Sequence, residues 1–256
     1  MVLLFHRGTG PPRAGFVIGY AIGCDTGLIP IHCDHHMRLN RTSGTGTQLE
    51  IRAFNVNEGG ADPAPPALTH STSSSGFQFL NPTIADVGGD DDCRYFFVRR
   101  NSTSEIVEMH GLENGDAFFD IAEIDFAGNG NAELTSTTLE NGNIVLVIDP
   151  DGPGGNRDGR LLASILRLDG SIVQQRDVGN RDDRAFEPTV TALKDGGFVM
   201  AWTEFDGDRD VLYQVFDANF NSVTSFRGTG FNLGSGNTNN NEPVIAALDD
   251  GGFVIF

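Results

Sequence analysis

Apolar and polar positions along the second half of the chain follow a long period. Three segments read alike: TSTTLENGNIVLVI (135–148), TVTALKDGGFVMAW (189–202) and VIAALDDGGFVIF (244–256). Their leucines, Leu139, Leu193 and Leu248, stand 54 and 55 residues apart. Each segment has an alternating apolar stretch, then Asn or Asp with Gly, then a denser apolar run. Alternation with period two is the pattern of a strand. Asn141-Gly142, Asp195-Gly196 and Asp250-Gly251 are hairpin-turn chemistry, since Gly and Asn tolerate positive φ. Each segment therefore predicts two antiparallel strands joined tightly.

An acidic loop follows the second strand, and a third alternating strand comes next, as in LLASILRLDGS (161–171) and VLYQVFDANFN (211–221). A weaker fourth strand is predicted around Ile172–Asp177 and Ser222–Arg227. Glu187-Pro188 and Glu242-Pro243 then restart the unit, with Asn81-Pro82 in the corresponding place upstream; Pro at a strand start is tolerated because its missing N–H is not needed there. Two degraded copies precede these. One runs from Pro82 through TIADVGGDDDCRYFFVRR. In the other, GFVIGY (15–20) matches a second strand and LEIRAFNVNEGG (49–60) a third, separated by a histidine-bearing insert that reads as a loop. Residues 61–76 and 234–241 read as surface loops.

Four strands per unit of 40–55 residues is the arithmetic of a β-propeller blade. The expected fold is all-β and propeller-like, with four-stranded antiparallel blades and about five full or partial units. Their approximate ranges are 15–79 (incomplete), 80–130, 131–185, 186–240 and 241–256 (incomplete). A β-sandwich is the alternative. The partial units read as a single repeat domain cut from a longer chain.

Charge narrows the partners. Against 35 Asp and Glu stand only 17 Lys and Arg, a formal net charge of −18. Phosphate binding needs a basic face, so nucleic acid is excluded as an expected partner, and an anionic membrane surface is disfavoured. No apolar run reaches the roughly 18–20 residues of a spanning helix. The four apolar residues before His6 fall short of the about 7–15 of a secretory leader, so no membrane insertion and no leader are expected. Cys24, Cys33 and Cys93 are too few for a disulfide scaffold.

The pattern P-x-V-x-A-L-x-D-G-G-F-V-x-x-W, an acidic loop, then Y-x-Q-x-F-D-A resembles repeats of large secreted bacterial proteins. These are grouped with haemolysin-type (RTX) calcium-binding proteins and adhesins. The likeness is carried by Pro188, Val190, Ala192, Leu193, Asp195, Gly196, Gly197, Phe198, Val199, Trp202, Tyr213, Gln214, Phe216 and Asp217. It is good over 186–256, fair over 131–180 and faint before that. DFAGNGNAEL (125–134) is similar to the calcium loop of FG-GAP or VCBS propeller repeats: Asp125, Gly128, Gly130 and Leu134 fit, while Ala127, Asn129 and Glu133 depart from it. The RTX nonapeptide G-G-x-G-x-D is absent. The resemblance implies an extracellular or cell-surface location and does not imply one activity.

Two acidic loops are the candidate calcium sites, Asp206, Asp208 and Asp210 in FDGDRD, and Asp149, Asp151 and Asp158 in DPDGPGGNRDG. Calcium takes six to eight oxygens, and D-x-D-x-D supplies three carboxylates on one turn. The bland reading is that Asp and Gly are good turn formers. Asp125 is a further candidate through the FG-GAP likeness. In IHCDHHM, His32, Asp34 and His36 would share one side of an extended strand and suit a transition metal; a solvated loop is the bland reading. No nucleophile elbow or phosphate-binding loop is present, and among 35 acids no catalytic pair can be chosen. Glu187 and Glu242 recur at unit entries as a mark of the repeat. Trp202, Phe198, Phe253, Phe16 and Phe97 fall at strand positions expected to pack between blades.

The expected function is a secreted or surface binding or structural module, with Ca2+ as a candidate stabiliser and an extracellular glycan or protein as candidate partner. The alternative is a carbohydrate-active enzyme, hydrolase or lyase, with a pocket on the propeller axis. A metalloprotein centred on the histidine insert is a third reading.

Overall fold

The computed structural model describes residues 17–21, 33–41, 47–55, 68–71, 84–86, 95–101, 106–113, 117–126, 132–150, 159–179, 184–205, 209–225, 227–232 and 242–256. Among them there is no helix, and so none long and apolar enough to cross a membrane. The first sheet holds β1 (Val17–Ala21), β2 (Cys33–Arg41), β3 (Thr47–Asn55) and β4 (Leu68–Ser71), and the second β5 (Ile84–Asp86), β6 (Tyr95–Asn101), β7 (Ile106–Glu113) and β8 (Ala117–Asp125). The third holds β9 (Glu133–Thr138), β10 (Ile144–Asp149), β11 (Leu161–Leu166) and β12 (Ile172–Val178). The fourth holds β13 (Arg184–Ala192), β14 (Phe198–Phe205), β15 (Arg209–Phe216) and β16 (Arg227–Asn232), and a two-stranded sheet pairs β17 (Ile245–Ala247) with β18 (Phe253–Ile255). Every pairing is antiparallel between strands consecutive in sequence, so each sheet is a meander.

The three repeat segments form the equivalent hairpins β9–β10, β13–β14 and β17–β18. Their turns close in the same way. The N–H groups of Leu139, Leu193 and Leu248 donate to the carbonyls four positions on, at Asn143, Gly197 and Gly252, and their own carbonyls accept from the N–H groups of Gly142, Gly196 and Gly251. Glycine alone takes the positive φ, 81° at Gly142, 84° at Gly196 and 88° at Gly251. The preceding Asn or Asp does a different job from the one its φ tolerance suggests: Asn141, Asp195 and Asp250 each accept an N–H two residues on through Oδ1. This Asx geometry fixes the turn.

Dense apolar strands arise because both of their faces are covered. In β10, Ile144, Leu146 and Ile148 pack against Val107, Met109 and Ile124 of the second sheet. Val145 and Val147, between them, enter a separate core shared with the fourth sheet. In β14, Phe198, Met200 and Trp202 fill that shared core, while Val199 and Ala201 face the β17–β18 hairpin. Alternate residues of one strand thus serve two cores, as a period of two requires. Phe198, Phe216 and Phe220 stack within the shared core at centroid separations of 5.0–5.3 Å. Consecutive sheets also meet through their first strands: β5 lies beside β9, β9 beside β13, and β13 beside β17. Ala192 N–H donates to Thr137 Oγ1 across one of these junctions at 3.2 Å, and Lys194 Nζ reaches the Asp249 carbonyl across the next at 2.8 Å.

Four local expectations are corrected. Within the histidine insert, Cys33–Arg41 is not a loop but β2, paired to β1 on one side and β3 on the other. Val17–Tyr20 of GFVIGY therefore belongs to what is, among the described residues, the first strand of a four-stranded sheet instead of a second strand. A central ladder position overrides the weak strand propensity of CDHHMRLNR, because neighbours on both sides satisfy its backbone. Glu187-Pro188 does not begin a strand either: β13 starts at Arg184, and the register slips between Phe186 and Thr189, so the pair sits on a bulge. Bulges accept Pro because the extra residue leaves the ladder. The last strand of the fourth sheet runs from Arg227, not Ser222. Asp217 holds residues 217–221 in a turn, accepting N–H bonds from Asn219 and Asn221.

Candidate functional site

The repeat step places a glutamate at or just before the first strand of each of the last three units. Glu133, Glu187 and Glu242 are separated by 54 and 55 positions, the steps that separate the turn leucines. Glu133 opens β9 and is the cross-strand partner of Asp149, which ends β10. Residues directly opposite in an antiparallel pair share a face, so two carboxylates are juxtaposed there. Asp149 is buried.

Glu187 sits on the β13 bulge with φ of 54°, a left-handed conformation that side-chain-bearing residues seldom adopt. Its carboxylate is buried, and Oε2 accepts a hydrogen bond from Thr203 Oγ1 at 3.2 Å. Its backbone N–H donates to the Glu133 carboxylate, linking the two units. Arg209, whose guanidinium lies 5.3 Å from the Phe186 ring centre, is the cation that favours the charged form of Glu187.

Crowding these acids near a poorly hydrated surface raises their proton affinity. Burial is the main cause at Glu133, reinforced by the charges of Asp149, Glu187 and Glu242, and its pKa is pushed up to about 7. The Glu187 pKa is also raised, first by burial and then by Glu242; the Thr203 bond and Arg209 oppose the rise. A carboxyl that holds its proton near neutrality can donate it, and a neighbouring ionised carboxylate can accept one or attract a cation. Perturbed titration of this kind gathers at functional sites.

The other candidates distribute differently. Asp149, at a strand end, is one of the acids coupled to Glu133; Asp151 and Asp158 lie outside the described residues. Asp210 is the second residue of β15, half-buried and opposite Glu204. Asp206 and Asp208 lie outside the described residues. Asp125 ends β8 and is exposed. Asp34 and His36 are residues of β2, with Cα partners Phe54 and Arg52 on β3, and His32 lies outside the described residues. Among the described residues, no three His, Cys, Asp or Glu side chains are grouped to hold a metal ion. Phe198 and Trp202 pack between sheets, and Phe253 does so against Tyr213, with ring centres 5.5 Å apart. Phe16 lies outside the described residues. Sequence reading named Glu133, Asp149, Glu187 and Glu242 separately and did not group Glu133 and Asp149 with the other two. Aligning Glu133 with the other two glutamates by the repeat step is the signal that joins it to them.

No family model and no curated protein matches the chain. Solved structures similar to it include a hypothetical protein from Leishmania major, at 11% identity and TM-score 0.45, covering 81% of this chain and 66% of that one. A Synechocystis apocarotenoid oxygenase mutant matches at 10% identity and TM-score 0.48, covering 80% of this chain and 48% of that one. A glycoside hydrolase matches at 8% and 0.38, covering 76% and 47%. The chain thus spans about half the length of the latter two.

Proposed function

We propose that the protein is a propeller-like repeat module of a secreted or cell-surface protein, and that its role is binding, with calcium ordering its acidic loops. The observation carrying this reading is the succession of meander sheets stacked face to face with their first strands side by side. That is how blades are arranged about an axis. A chain of net charge −18 with aspartate-rich loops between second and third strands fits a calcium-rich exterior, because a divalent ion offsets the repulsion of adjacent carboxylates. An extracellular glycan or protein is the partner class this reading takes. Thermal unfolding in calcium, in magnesium and in chelator tests it. Calcium at a hundred times its Kd stabilises a native site by about 2.7 kcal/mol, so a calcium-specific rise in Tm is expected. Equal midpoints in all three remove calcium from the proposal.

A second reading, a carbohydrate-active hydrolase or lyase, is favoured by the coupling of Glu133 to Asp149, Glu187 and Glu242. Glycoside hydrolysis pairs an acid of raised pKa with a second carboxylate, and Glu133, its pKa pushed up to about 7 with Asp149 across the ladder, has the character of the acid. Release of reducing ends from a polysaccharide panel, abolished in a folded Glu133→Gln variant, supports it. No release from any polysaccharide leaves the binding module.

A further inference from the structure

The turns that close β9–β10, β13–β14 and β17–β18 share one backbone and differ in one side chain. The residue that accepts the N–H two positions on is Asn141 in the first, Asp195 in the second and Asp250 in the third. Its Oδ1 makes the same bond in all three, at 3.0, 3.1 and 2.9 Å. The amide nitrogen of Asn141 has no counterpart in the other two turns. Glu140 and Asn141 are exposed at the hairpin tip. The three tips are neighbours: Glu140 Oε2 lies 3.6 Å from the place a Cβ on Gly196 would take, and Lys194 Nζ bonds to the Asp249 carbonyl.

Asn141 is followed by Gly142, and that order carries chemistry of its own. The Gly142 backbone nitrogen can close a five-membered ring on Cγ of Asn141. Glycine has no Cβ to crowd the attack, and a Cβ built at Gly142 would meet nothing within 4 Å, so water and base reach the position freely. The Asn143 N–H bonded to Oδ1 draws electrons from Cγ and favours attack there. One contact opposes it. The Gly142 N–H donates to the Leu139 carbonyl at 2.9 Å, which holds the proton that the nitrogen must lose. The reaction therefore proceeds from local opening of an exposed hairpin tip, among the least costly motions of a fold.

We propose that Asn141 is a modification site, deamidated with water as the co-reactant, and that the aspartate formed fits the turn as Asp195 and Asp250 fit theirs. The Gly142 nitrogen gives its proton to solvent base and bonds to Cγ. The Cγ–Nδ2 bond breaks, and Nδ2 takes up a proton and leaves as ammonia. Water then opens the cyclic imide, and nothing is oxidised or reduced. Opening at Cγ leaves an aspartate at position 141; opening at the main-chain carbonyl leaves isoaspartate, whose backbone is one methylene longer. The aspartate keeps Oδ1 for the Asn143 N–H, as the other two turns show, and adds one negative charge to a chain of net charge −18. Three neighbouring tips then carry a carboxylate at the same point. The isoaspartate instead lengthens the tip beyond the register that pairs Thr138 with Ile144.

The test incubates the full chain, folded, at neutral and mildly alkaline pH in water labelled with heavy oxygen, beside a sample unfolded in guanidinium. Peptide mapping by mass spectrometry reads position 141 apart from Asn114 and Asn129, which also precede glycine and lie outside the described residues. The mass gain of an amide-to-acid exchange is expected at 141, with the label incorporated. It should be faster at the higher pH, because the attacking nitrogen is deprotonated, and slower than in the unfolded sample. Asn141→Asp is expected to leave the Tm and the hydrogen-exchange protection of the hairpin unchanged, whereas Asn141→Ala, which removes Oδ1, lowers both. An unfolded sample that converts fully while the folded chain keeps Asn141 intact overturns the modification. A loss in Asn141→Asp as large as that in Asn141→Ala overturns the fit of the product.

Discussion

The third and fourth sheets build the same hairpin and put different chemistry opposite the same glutamate. In the third, Glu133 faces Asp149; in the fourth, the position 54 residues after Asp149 is Thr203, whose hydroxyl donates to Glu187. One acid meets another acid, and the other meets a donor. Burial raises both pKa values, but the Asp149 charge adds to the rise at Glu133, while the Thr203 bond and Arg209 pull against it at Glu187. The scaffold fixes where the carboxylate sits. The residue across the ladder decides what it does.

The largest expected effects test whether the two hairpins share one packing logic. Ile148 and Trp202 occupy equivalent positions and are both fully buried, one in each neighbouring core. Ile148→Ala should cost about 2–5 kcal/mol and Trp202→Ala about 3–5 kcal/mol in denaturant unfolding. A cost below 1 kcal/mol at either would mean that its core closes without it.

Next comes the titration that separates the sheets. The folded pKa of Glu133, about 7, lies above its ordinary 4.5, so the folded protein holds an extra proton between those values. The stability carried by the protonated carboxyl is complete below pH 4.5 and is lost as pH rises through 7. Because Glu133 is part-exposed, solvent screening limits the loss to on the order of 1–3 kcal/mol. Glu133→Gln should flatten stability across pH 5–8 and make the protein more stable than the parent at pH 8, and Asp149→Asn should do so in part. A parent profile already flat over that window would dissolve the contrast with Glu187.

Thr203→Val leaves the buried Glu187 carboxylate without its hydroxyl donor and should cost about 1–2 kcal/mol. Urea titrations of Thr203→Val and Thr203→Ser, the latter retaining most of the stability, separate the bond from simple packing. Smallest is the turn comparison. Gly142 and Gly196 both take positive φ, and a Cβ would meet nothing within 4 Å at the first and only Glu140 Oε2 at 3.6 Å at the second. Each Gly→Ala change should therefore cost backbone strain alone, about 1 kcal/mol. A much larger loss at Gly196 would point to the neighbouring turn.

The repeat itself was legible because a half-buried strand must alternate and a tight turn must hold glycine. Leu139, Leu193 and Leu248 mark positions where the structure has equivalent closing pairs. The β2 strand was not legible: its residues lack apolar alternation, and only pairing on both edges orders them. The bulge at Glu187-Pro188 was read as a strand start, since sequence shows the proline but not the slip in register that accommodates it. Among 35 acids, Glu133 looked like an altered loop ligand until the fold placed it opposite Asp149 and beneath the Glu187 N–H.

Sequence by itself determined the all-β class, the hairpins of the three repeats and the turn residues that close them. These are local choices, made by period-two alternation and by the backbone freedom of glycine. Tertiary structure alone decided which core each residue of β10 and β14 enters, and which carboxylates stand together. Neighbouring acids from different units come within electrostatic reach only after the sheets stack, and their proton affinity depends on the water that stacking removes.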